Sequence, residues 1–138
     1  MAHLIVETRP GPCPLEFSGD TADLVWFLSF AAVEQFGSQH ELSRAAFLLR
    51  HKHKVRLRHL LNFVAADDDT EELERAWQSA AGLAEAAAAA HAALSSDDAE
   101  VQSSISEFPG LPARMAELAA IAEWTAERDG QIRLTYVL

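Results

Sequence analysis

Residues 44 to 59 hold six of the chain's eleven Lys and Arg residues. Arg44, Arg50, Lys52, Lys54, Arg56 and Arg58 stand there without a single acid, a local charge of +6. The remaining sequence carries 5 bases against 21 acids, so this one segment opposes the sign of everything around it. Projected on a helix of 100° per residue, Arg44, Arg50, Lys54 and Arg58 share a face with His51, opposite an apolar stripe. Clustered cations of this kind suit phosphate, nucleic acid or an acidic protein. Against that stands a plainer reading, a solvated face compensated by the acids at Asp67, Asp68, Asp69, Glu71, Glu72 and Glu74. Phe47 falls outside the apolar stripe, among the bases, which favours a covered surface. Arg44, Arg50, Lys54, Arg58 and Phe47 are therefore the candidate partner-binding residues, for an acidic protein or an anionic ligand. The overall charge of −10 makes nucleic acid the weaker alternative.

Six histidines invite a metal, but their spacing does not support one. Two helical ligands on one face need a spacing of three or four, and no pair has it. His51 and His53 point about 160° apart on a helix, at 100° per residue. His53 and His91 lie on apolar stripes and read as hydrogen-bonded core residues. Glu71 and Glu74, with Asp97 and Asp98, resemble half of a carboxylate site for a divalent ion. The matching Glu-x-x-His half is absent. A small helical metal-dependent hydrolase built on these four carboxylates is the alternative function. Cys13, between two prolines and without a Cys-x-x-Cys partner, reads as a bystander. No Gly-rich phosphate loop and no nucleophile elbow are present. No catalytic residue, metal or cofactor is expected.

The elements that must position these residues are punctuated clearly. Gln131–Leu138 alternates apolar and mostly polar residues and predicts a half-buried strand; residues 4–8 form a weaker one. Pro10-Gly11-Pro12-Cys13-Pro14 breaks regular structure. Asp20 caps a first helix that Gly37 ends. Ser38 with Glu41 opens a second, running to about Val64, and Asp69 with Glu72 opens a third, reaching about Leu94. Ser95 with Asp98 starts a short fourth, and Pro112 a fifth that Gly130 stops. Helices two and three are expected to form an antiparallel hairpin in which Leu57 faces Trp77. On the third, Ala80, Ala84, Ala87, Ala88 and His91 form the inward stripe. Trp26, Phe27, Phe30, Leu49, Leu57, Trp77 and Leu118 are the expected core.

The first helix is apolar around its whole circumference, which a chain of 138 residues cannot cover fully. Trp26, Phe27, Phe30 and Val33 are therefore expected at a homodimer interface. With 49% hydrophobic residues a packed core needs no staple, and one cysteine excludes a disulfide framework. The N-terminus lacks the apolar segment of a signal peptide and no run approaches the ~20 residues of a membrane span, so a cytoplasmic protein is expected. The fold expected is mainly α, a bundle of four to five helices with a minor β element from the N- and C-terminal strands. It is read as one domain, with residues 1–18 as strand and connector, 19–130 as bundle and 131–138 as C-terminal strand. The function expected is that of a non-enzymatic regulatory or interaction protein acting as a homodimer.

Overall fold

The last strand organises the molecule. In the computed structural model, which describes residues 2–138, β4 (Gln131–Val137) pairs with three other strands. Along one edge β1 (His3–Arg9) runs antiparallel over its full length, from His3 opposite Val137 to Arg9 opposite Gln131. That leaves β2 (Phe63–Ala65) and β3 (Gln78–Ser79) to share the other edge. β2 lies parallel to residues 134–136, and β3 antiparallel to Ile132 and Gln131.

Six helices account for about half of the chain among the described residues. They are α1 (Ala22–Val33), α2 (Glu41–His51), α3 (Thr70–Arg75), α4 (Ala80–Leu94), α5 (Ala99–Ser104) and α6 (Leu111–Ala126). The expectation of a mainly α, all-helical bundle with a minor β element is thus corrected. The protein is an α/β mixture built on a four-stranded mixed sheet. The sequence signal failed at β2 and β3 because three and two residues are too few to display an alternating pattern.

Alternation does work on β1 and β4. Leu4, Val6, Leu134 and Ile132 share one face, and Leu4, Ile132 and Leu134 are buried there. On the opposite face Arg133 makes a bidentate pair with Glu7, at 3.0 and 3.1 Å, and donates to the Leu73 carbonyl. Arg9 and Arg133 both stack on Trp77, 4.1 and 4.6 Å from the ring centre. Trp77 therefore covers the outer face of the sheet, half-buried, instead of facing Leu57 across a helical hairpin.

That hairpin does not form because neither helix has the expected length. α2 stops at His51, and Lys54 takes a left-handed backbone, φ 58°. Val55 and Leu57 then enter the core from an irregular segment. The Asp69 cap is real, accepting from Glu72 N at 2.9 Å, yet α3 is only six residues long. A new helix, α4, starts after β3 and packs chiefly along α6, with Ala80, Leu83, Ala87, Ala90 and Leu94 facing inward. Ala88 is exposed, so the inward stripe is rotated from the one expected. Of the expected core, Phe27, Leu49, Leu57 and Leu118 are buried, Phe30 and Trp77 are half-buried, and Trp26 is exposed. No helix among the described residues is long and apolar enough to cross a membrane.

Candidate interaction surface

The basic run splits into two parts with different surroundings. Its helical half is neutralised by neighbours. Arg44 pairs with Glu100 at 2.7 Å, and Arg50 pairs with Glu34 while reaching the Ala31 carbonyl. Lys52 meets Asp98 at 2.9 Å, and His53 donates from Nε2 to the same carboxylate oxygen at 2.8 Å. The other oxygen of Asp98 accepts the amides of Glu100 and Val101, so one side chain caps α5 and anchors the end of α2. The Lys52 ammonium, then the His53 ring, hold the Asp98 carboxyl well below its usual range. His53 is half-buried against the largely covered Asp98 carboxylate, not enclosed among apolar side chains as its position on an apolar stripe suggested.

The non-helical half of the run is different. Because Val55 and Leu57 point inward, Lys54, Arg56 and Arg58 point the other way, all exposed. Among the described residues none of the three has an acidic partner. A helical projection had separated Arg56 from the other two; the irregular path of residues 54–58 leaves all three exposed. The compensation expected from residues 67–74 is spent elsewhere, since Glu71 and Glu72 pair with Arg75 on their own helix.

Apolar exposure concentrates where α1 meets α2. After Val33 a 3₁₀ turn, Glu34–Phe36, leads to Gly37, whose φ of 90° lets the chain reverse. His40 opens α2 by accepting the Leu42 amide, a role the sequence had given to Ser38. This path leaves Phe36 79% exposed, with Val33 at 42% beside it and Trp26 at 39% two turns back along α1. Phe47, 48% exposed, lines a surface depression together with Glu34, Ser38 and Arg44, and its ring lies tilted against His51, 4.4 Å between centres. Of the expected interface residues, Trp26 and Val33 are on this surface. Phe27 is wholly buried, and Phe30 lies stacked on His40 at 3.7 Å. Phe36, the most exposed aromatic here, had been missed because a short 3₁₀ turn has no sequence period of its own.

The carboxylates do not form a centre. Glu71 and Glu74 lie on α3, whereas Asp98 belongs to the α2–α5 junction and Asp97 precedes it. Among the described residues no group of three His, Cys, Asp or Glu side chains is placed to hold a metal ion. Cys13 is half-buried in the wall of a cleft of about 520 Å³ beside β1, where its Sγ accepts the Leu15 amide at 3.4 Å. His91 donates from Nδ1 to the Pro112 carbonyl at 3.0 Å, tying α4 to the start of α6.

No family model matches this chain, no curated protein matches its sequence, and no solved structure matches its fold.

Proposed function

We propose that this is a non-enzymatic interaction protein that works as a homodimer, docking through Trp26, Val33, Phe36 and Phe47. The joint exposure of Phe36 and Phe47 carries the reading. An aromatic side chain nearly free in water loses the stabilisation that burial would bring, about 1.5–3 kcal/mol for a Phe. Taken at these exposures, the four side chains present on the order of 400 Å² of apolar surface, the size at which a monomer's largest patch is commonly functional. A second copy is the occupant that fits best. A twofold contact would set Phe36 of one copy against Phe47 of the other and bury both aromatics twice. Arg44 and Arg50 near the patch are each matched by an acid, Glu100 and Glu34, so two copies of a molecule of net charge −10 can approach here without a local excess of negative charge.

The test is mass in solution. Sedimentation at micromolar concentration and 0.15 M salt should give about twice the 15.1 kDa of one chain. Phe36→Asp with Phe47→Asp should return it to one chain while leaving the thermal midpoint of the fold in place. A wild-type protein that stays at about 15 kDa up to 0.1 mM would remove the proposal.

A further inference from the structure

Of the eleven Lys and Arg side chains, seven form ion pairs and Arg9 is held by Gln131 and Trp77. The three left over, among the described residues, are Lys54, Arg56 and Arg58. In a chain with nearly two acids for every base, cations left side by side without partners are an arrangement that self-neutralisation would readily have removed. Two of them, Lys54 and Arg56, line a cleft of about 250 Å³ between the segment after α2 and α4.

The floor and far wall of that cleft are also distinctive. His59 lines it, and its ring lies against Gly82: a Cβ at residue 82 would stand 2.7 Å from both Cε1 and Nε2. Only glycine lets the imidazole occupy this place. The ring is oriented by Gln78, whose Nε2 donates to the His59 carbonyl at 3.0 Å and thereby turns its Oε1 toward Nδ1, 3.3 Å away. That contact sets the orientation of the ring, with its Nε2 and Cε1 at the Gly82 side. Lys54, part of the lining, holds a left-handed backbone, a conformation that costs a non-glycine residue energy. Glu85 stands on the α4 wall, the one acid of the lining.

We propose that this cleft is a binding site for a phosphate group, held by the Arg56 guanidinium and the Lys54 ammonium with the His59 ring beneath. A planar fork beside a compact point charge matches a tetrahedral dianion better than a single carboxylate. Glu85 would repel a bare anion but accepts a hydrogen bond from a hydroxyl or ammonium on the ester side. The site therefore suits a phosphate monoester that carries such a donor. It lies apart from the aromatic dimer surface, and neither assignment depends on the other.

Isotope-edited NMR titration of the full chain at constant ionic strength tests it, with inorganic phosphate, phosphoserine and sodium chloride as three arms. Saturable amide shifts centred on residues 54–59 and 82–86 are expected with the phosphate ligands and not with chloride. Lys54→Ala and Arg56→Ala are exposed substitutions that should keep the thermal midpoint and weaken binding about tenfold or more. Phosphoserine binding more tightly than inorganic phosphate, with the gain abolished by Glu85→Gln, assigns the site to an ester. Equal affinity assigns it to free phosphate. Shifts that chloride reproduces, or that survive the double substitution unchanged, would overturn the proposal.

Discussion

Asp98 shows how much one side chain can be asked to do. Its carboxylate accepts from Lys52 and His53 and caps α5, and these contacts hold its carboxyl well below the ordinary 3.8. A lowered folded-state value means that the charged form favours the fold. The contribution is complete above about pH 4 and is lost as the pH falls through the carboxylate range toward the folded-state value. Asp98→Asn should therefore lower stability in urea at pH 6, and its deficit against the wild type should shrink by pH 2.5. A deficit that is constant across that range would show that charge is not its source. Gly130 is a second single-residue control point. A Cβ there would stand 2.6 Å from the Arg9 carbonyl oxygen and 2.7 Å from Thr125 Cγ2, so Gly130→Ala should cost about 1–3 kcal/mol in chemical denaturation. The sequence marked both residues, Asp98 as a metal-ligand candidate and Gly130 as a helix stop. Residue type and spacing announce that a position matters before they announce to what.

At the scale of elements, starts were legible and ends were not. Asp69 opens α3 as read, whereas Asp98 rather than Ser95 caps α5, and α6 begins at Leu111, one residue before Pro112. The failures share a cause, tertiary contacts that overrule local preference. Residues 52–64 and 76–79 carry helical periodicity, but docking Val55 and Leu57 in the core and pairing residues 63–65 and 78–79 with β4 outweigh it. The rotated stripe on α4 gives a sharp check. Ala90 is buried where α4 meets the core, so Ala90→Leu should overpack and destabilise by about 1–3 kcal/mol. Ala88→Leu, on the exposed side, should stay within about 0.5 kcal/mol of the wild type. Were the sequence-derived hairpin correct, Ala88 would be the sensitive position. Leu57→Ala should cost about 2–5 kcal/mol, since its side chain is buried although no helix carries it.

For the molecule as a whole, charge and apolar exposure divide the surface. The acids are distributed broadly, the unpaired cations gather at residues 54–58, and the exposed aromatics at the α1–α2 corner. Composition and net charge made that division visible in outline. The irregular path of residues 54–57, set by long-range packing, decides which bases are left unpaired, and so the cleft with His59 and Gly82 had no signature in the sequence. The central place of β4 has a consequence in time. A chain is made from its N-terminus, and β1 gains its one strand partner among the described residues when residues 131–137 emerge, 122 positions after Arg9. At ordinary synthesis rates that is a delay of roughly 6–25 s. Throughout it both edges of Leu4-Ile5-Val6 stand without a strand to pair with, open to the same segment of a neighbouring nascent chain. Crowded translation on one message, rather than heat, is the circumstance in which this fold is most exposed to mispairing.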